Sequence, residues 1–131
     1  MARLNRVELI GNLGKNGELR YLANGQPKIE FTMAVDDSYK KGDDWVNQSQ
    51  WFNVVLWGDQ AERMAQQLTK GTPVFVEGKL TTRSWDDDQG QKHYRTEVVA
   101  RQVAVLVRPP KRDDQNFQRA EDPDDEDLPF V

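Results

Sequence analysis

"SQWFNVVLWGDQAERMAQQLTKG", residues 49–71, changes its period midway. Up to Trp57 it alternates as a strand does, with Phe52, Val54 and Leu56 on one face and Trp51, Asn53, Val55 and Trp57 on the other. After Gly58 the apolar residues Ala61, Met64, Ala65 and Leu68 recur at helical spacing, with Asp59 suited to cap a helix and Gly71 to end it. A strand that runs straight into one helix is the feature around which the other elements fall into place.

Working towards the N-terminus, "PKIEFTMAVD" (27–36) alternates Ile29, Phe31, Met33 and Val35 with mainly polar neighbours, the pattern of a half-buried strand. "DDSYKKGDDWVNQ" (36–48) between the two strands is polar and reads as a hairpin loop. "RVELIG" (6–11) is a short strand entering the Gly-rich turn "GNLGKNG". Towards the C-terminus, "PVFVEGKLTTRSW" (73–85) and "HYRTEVVARQVAVLV" (93–107) are strands joined through "DDDQGQK", the second long enough to predict a bend near Arg101–Gln102. The order is β-β-β-α-β-β. Five strands with the helix between the third and fourth, all-β with one helix, are the strand count and helix placement of an OB-fold five-stranded Greek-key barrel, an order that other small barrels share. Gly58 and Gly78 suit points where such strands bend or pack closely.

The chain of 131 residues is enough for one domain with a real core. No apolar run approaches the ~20 residues of a membrane span, and "MARLNRVELIGNLG" has no signal-peptide pattern. The absence of cysteine excludes disulfides, thiolate metal sites and a Cys nucleophile, and fits a reducing cytoplasm. A net charge of −4 argues at first against a nucleic-acid partner, but the average misleads. Residues 1–108 hold 15 Lys and Arg against 14 Asp and Glu, whereas residues 109–131 hold 3 against 8. Pro109-Pro110 blocks strand continuation, and the residues beyond are too polar to fold alone. The expected organisation is therefore a domain over 1–108, a short flexible linker over 109–120 and a disordered acidic tip over 121–131.

The face opposite Phe52, Val54 and Leu56 decides the function. Tryptophan is ordinarily a buried residue. Here an inward face already exists, and Asn53 between the two indoles would need partners if buried. The fourth strand repeats the theme, because Lys79, Thr81, Arg83 and Trp85 share one face. Exposed indoles interleaved with cations stack nucleobases for ~1–3 kcal/mol per base without reading sequence. Lys and Arg neutralise phosphates. Duplex DNA hides its base faces, so such a platform selects single strands. Aromatic surfaces also bind sugars, but those sites favour Asp, Asn and Glu beside the rings over Lys and Arg. Tyr39, Lys40, Lys41 and Trp45 on the 36–48 hairpin read as a second arm that wraps the strand.

Nothing in the chain reads as catalytic. The single His93 has no Ser or Cys partner by spacing and reads as a surface strand residue. Asp86, Asp87 and Asp88 lie consecutively on a turn and point apart, so a solvated hairpin is favoured over a Mg²⁺ site, and no metal or cofactor is expected. "GNLGKNG" lacks the spacing and adjoining helix of a phosphate-cradling P-loop.

"NRVELIGNLG", "LRYLANGQPKIEFTMAV", "SQWFNVVLWGDQAE", "KGTPVFVEGKLTTRSWDDDQGQKHYRTEVVA" and "DEDLPF", in that order, resemble the bacterial single-stranded-DNA-binding protein (SSB) family. The resemblance implies an OB domain assembled as a homotetramer and sequence-independent binding and protection of single-stranded DNA in replication, recombination and repair. It implies a cytoplasmic, nucleoid-associated protein. By position it assigns base stacking to Trp51, Trp57, Trp85 and Tyr39, and phosphate contacts to Arg6, Arg20, Lys70 and Arg83, beside which Lys79 shares a face. Phe52 matches a position near the family's subunit contacts, with core packing as the alternative.

The tail "EDPDDEDLPFV" places six acids in residues 121–127 ahead of an apolar ending. An acidic run with such an ending can dock in a basic pocket with an apolar floor. It resembles the family's tip, which implies recruitment of replication and repair proteins through Asp125, Glu126, Asp127, Leu128, Pro129 and Phe130. The competing reading is an OB-fold adaptor that acts mainly through protein–protein contacts.

Overall fold

A computed structural model of the chain describes residues 1–106. The expectations for the linker and the acidic tip, Asp125 to Phe130 included, lie outside the described residues. In chain order the elements are β1 (Val7–Leu13), β2 (Glu18–Tyr21), β3 (Pro27–Asp36), β4 (Tyr39–Lys41), β5 (Asp44–Val46), β6 (Ser49–Trp57), α1 (Asp59–Met64), β7 (Pro73–Asp86) and β8 (Lys92–Val105). The five expected strands are β1, β3, β6, β7 and β8. They form one sheet in the order β1-β7-β8-β6-β3, with β2 added beyond β3. Pairing of Asn12 with Ala34 and Leu13 with Met33 joins β1 back to β3 and closes the barrel. The β6–β8 pairing is parallel and the others are antiparallel, which gives the Greek-key OB arrangement.

The core is what the alternation predicts. Ile29, Phe31 and Met33 of β3 meet Val54 and Leu56 of β6, Val74 and Val76 of β7, and Val98, Ala100 and Val103 of β8. Each large apolar side chain fully removed from water contributes about 1.5–3 kcal/mol. Leu13, Ala61 and Leu68 complete the cluster. The step from Ala100 to Val103 breaks the period of two, and the pairing explains it. Glu77 faces Gln102 while Gly78 faces Ala100, so Arg101 is left over as a bulge. This is the bend expected near Arg101–Gln102. Gly78 is required there because a Cβ would run into the Val99 carbonyl oxygen.

Three local expectations change. The 36–48 loop is itself a small ladder, β4 on β5, with Lys40 opposite Trp45. The helix covers only Asp59–Met64, and Gly58 with φ 81° takes the cap position without a side-chain bond, so Asp59 lies inside the first turn. Leu68 is still fully buried, but a turn delivers it, and its carbonyl accepts the Gly17 N–H at 2.8 Å. Val55 sits at an outward position yet is only 3% exposed, since β3 and β8 flank β6 at that point. The outward face of β6 is therefore open at its ends and sealed in its middle.

Candidate nucleic-acid interface

Alternation and register together fix which side chains share the outer surface. Across β3 and β6, Lys28 faces Trp57, Glu30 faces Val55, Thr32 faces Asn53 and Ala34 faces Trp51. Val55 neighbours Val99 of β8. Across β8 and β7, Val99 faces Lys79, Glu97 faces Thr81, Arg95 faces Arg83 and His93 faces Trp85. All of these have outward parity, so Trp51, Trp57 and Trp85 share one continuous surface with Lys28, Lys79, Arg83 and Arg95.

The indoles differ in exposure. Trp51 is 61% exposed and Trp85 42%, whereas Trp57 is half-buried. Trp51 lies against the turn after β1, where a Cβ on Gly14 would overlap its ring. The Lys28 Nζ sits 5.2 Å from the Trp57 ring centroid, and the Arg83 guanidinium carbon sits 5.0 Å from that of Trp85. Both are at cation–π distance. Lys28 also pairs with Glu30 at 3.0 Å, which holds the Glu30 carboxyl below its usual range through that hydrogen bond.

His93 is exposed as expected, but it is not idle. Its ring stacks on Trp85 at 5.6 Å between centroids and 21° between planes. Its Nε2 lies 2.8 Å from the Asp87 Oδ2. The other Asp87 oxygen accepts the Gln89 and Gln91 N–H groups, each at 2.9 Å, and so builds the hairpin turn. The His93 bond, then these amides, hold the Asp87 carboxyl below its usual range. The hairpin thus fixes the plane of the outermost ring pair.

The remaining sequence-predicted residues are dispersed. Tyr39, 46% exposed, and Trp45, 67% exposed, lie on the β4–β5 ribbon with Lys40 and Lys41. Arg20 pairs with Glu18 at 2.8 Å, and Arg6 with Glu8 at 2.9 Å and Glu77 at 3.7 Å. Lys70 is exposed, and its backbone N–H binds the Asn16 Oδ1 at 2.8 Å. Phe52 is half-buried and packs against the core. Sequence alone does not single out Lys28 and Arg95. Arg95 can be found by counting back from the hairpin turn, which puts it across from Arg83.

β6 pairs with β8 only through residues 54–56 and 98–100. Above that ladder the strands part, and Trp51, Phe52 and Asn53 face Thr96, Glu97 and Val98 across an opening also lined by Leu80. The surface is thus a shallow, ring-studded cleft and not an enclosed pocket. Among the described residues no group of three or more His, Cys, Asp or Glu is arranged to hold a metal ion. No helix among them is long and apolar enough to cross a membrane.

Comparison with known proteins agrees with this architecture. Residues 4–106 match the single-strand binding protein family. "Single-stranded DNA-binding protein 1" of Xylella fastidiosa is 38% identical over 108 residues, covering 81% of this chain and 79% of its own. The protein of the same name from Chlorobaculum tepidum is 42% identical over 109 residues, covering 81% and 67%. The single-stranded DNA-binding protein of Treponema pallidum is 40% identical over 106 residues, and the match spans 60% of its length. Among solved structures, an SSB of Plasmodium falciparum in complex with ssDNA superposes with a TM-score of 0.73 at 23% identity, over 82% of this chain and 98% of that one, a likeness of fold alone. A deletion mutant of the single-stranded DNA binding protein from Thermus aquaticus gives 0.70 at 31% identity, over 79% and 51%. With a match across nearly the whole described domain, and relatives this similar, the chain belongs to the single-strand binding protein family.

Proposed function

We propose that this chain binds single-stranded DNA without reading its sequence, and protects it during replication, recombination and repair. The observation that carries this reading is the set of three indoles on one outer surface, with Lys28 and Arg83 held against two of the rings. Bases stack on Trp51, Trp57 and Trp85. Tyr39 on the β4–β5 ribbon adds a further ring from a separate arm. Lys79, Arg83 and Lys70 meet phosphates directly. Arg6 and Arg20 do so by exchanging a carboxylate partner for a phosphate. Each element of the cleft suits binding, and none suits bond-making chemistry, so we read the protein as a binder and not an enzyme. Four copies pool their surfaces in a homotetramer, in the cytoplasm and at the nucleoid. The acidic tip from Asp125 to Phe130 recruits partner proteins.

Fluorescence titration with oligo(dT) tests the core of this reading. Stacking on the exposed indoles quenches tryptophan emission strongly and at a stoichiometric endpoint. An adaptor that works only through protein contacts leaves the emission unchanged.

A further inference from the structure

Arg83 and Arg95 stand directly opposite each other on β7 and β8. Two like charges in that register repel and destabilise a sheet. One buried acid reconciles them. The Glu97 side chain is 7% exposed and divides its carboxylate between them, Oε1 lying 3.3 Å from the Arg83 Nε and Oε2 3.4 Å from the Arg95 Nε. Both contacts use the inner nitrogen of the guanidinium. Only the first is a hydrogen bond. The Arg95 Nε and Glu97 Oε2 are buried without one, an arrangement that costs free energy unless something else requires it.

The terminal nitrogens of both arginines have no hydrogen-bond partner among the described residues, and the side chains remain 50% and 39% exposed. A guanidinium carries five donors in a rigid plane, so one held at Nε still presents its outer edge to an anion. Glu30 also lies near enough to act on Arg95 electrostatically, but its carboxylate is engaged by Lys28 at 3.0 Å.

We propose that Arg83 and Arg95 form a two-arginine fork for one backbone phosphate, beside the Trp85–His93 ring pair, with Glu97 as the positioning residue that turns both outer edges to solvent. The proposal rests on the single-strand reading above. It adds Arg95 as a contact and gives an acid within a DNA-binding surface a constructive role. A phosphate on the fork sits next to the base stacked on Trp85, as a nucleotide's own geometry demands.

The test uses the full chain, oligo(dT) and a salt series. Arg95→Ala is expected to weaken binding about tenfold at low salt and to reduce the steepness of the log–log salt dependence by roughly 0.7, one phosphate's share on a single strand. Glu97→Gln decides the positioning role by its sign. A background acid opposes DNA, so its removal would strengthen binding. A positioning acid, once replaced by an amide whose N–H₂ meets a guanidinium donor, loses one of its two contacts, and binding weakens by roughly threefold despite the added positive charge. Thermal melting of each variant separates this from unfolding, and if Glu97→Gln does not fold, Arg95→Ala alone decides the fork. Wild-type affinity and slope in Arg95→Ala, while Trp51→Ala still weakens binding, overturn the fork and leave the single-strand reading standing. Stronger binding by Glu97→Gln overturns the positioning role. No binding of oligo(dT) by the unaltered chain sinks the underlying reading instead.

Discussion

The lower and upper halves of the β7–β8 ladder are built from the same two strands and do opposite things. Below the Arg101 bulge, Val74 and Val76 are fully buried and Val103 nearly so. Above it, Lys79, Leu80, Thr82, Arg83, Ser84, Trp85 and Asp86 of β7 are exposed, while β8 stays buried at Glu97, Val98 and Ala100. Residue type does not explain this, since Leu80 is as apolar as the valines and still 42% exposed. Coverage does. β1 runs along β7 only from Pro73 to Gly78, and β6 pairs with β8 only at Val98–Ala100, so from Thr81 outward the ribbon has neither neighbour. A free two-stranded ribbon is marginal in water. This one is held by side chains, namely the Thr82–Thr96 hydroxyl pair at 3.0 Å, the Asp87 turn, and Asn5, which bonds both the Leu80 N–H and its carbonyl as a strand would. The barrel supplies rigidity below, and the ribbon above leaves its side chains to solvent.

Gly78 marks the boundary between the halves, and breaking it gives the largest expected effect. Gly78→Ala forces a methyl into the Val99 backbone carbonyl, which cannot yield as a flexible side chain could. Urea denaturation is expected to register a loss of about 3 kcal/mol. A loss near zero would mean that the bulge rearranges freely and that the two halves are not separately anchored.

Trp85→Ala sharpens the contrast from the other side. The ring is exposed on the ribbon, and under the proposed function its loss weakens binding to oligo(dT) by about 2 kcal/mol while the melting temperature stays close to that of the unaltered chain. A melting temperature that falls in step with affinity would instead make Trp85 a structural support for the ribbon.

The arginines give a finer comparison. Arg6, near the lower half, is engaged by Glu8 and Glu77, and Arg101 also binds Glu77, at 3.1 Å. Arg83, in the upper half, meets Glu97 only through its Nε, and its outer nitrogens make no hydrogen bond among the described residues. Arg83→Ala should reduce the salt slope by roughly 0.7, and Arg6→Ala by less, because its acids already satisfy it. Equal reductions would erase the distinction between the halves.

How legible each feature is in the residues depends on how local it is. The barrel strands and the bend in β8 come from periods and glycines within single segments, and they are where the residues place them. β2 escapes a reading by pattern because "ELRY" has no apolar run, and only its ladder with Pro27–Glu30 makes it a strand. The helix ends early although Ala61, Met64 and Leu68 keep the helical period, because Leu68 reaches the core by a turn that also feeds its carbonyl to Gly17. Trp51 and Trp85 are legible as exposed rings because cations and polar residues share their phase. Trp57 is less so, since it is half-buried and its ring has Lys28 of β3 over it, a partner that only the cross-strand register supplies.

The smallest expected effect lies at the ribbon's tip and is set by pH. Asp87 is held below its ordinary carboxylate range, first by His93 and then by the turn amides. A carboxyl depressed in the folded state stabilises it fully above the unfolded value, about pH 3.9, and that contribution is lost as pH falls through the lower folded value. From neutrality down to about pH 5 the carboxylate therefore stays charged and the turn intact. As pH falls through that lower folded value, the Asp87 contacts to Gln89, Gln91 and His93 weaken together, and the Trp85–His93 stack loosens before the barrel does. NMR of the Trp85 indole through an acid titration reads this directly, and Asp87→Asn should abolish the transition at that resonance while leaving core resonances such as those of Val76 in place. If the Trp85 and Val76 signals move at one common pH, the ribbon and barrel melt as a single unit and the separation between the halves does not extend to their stability.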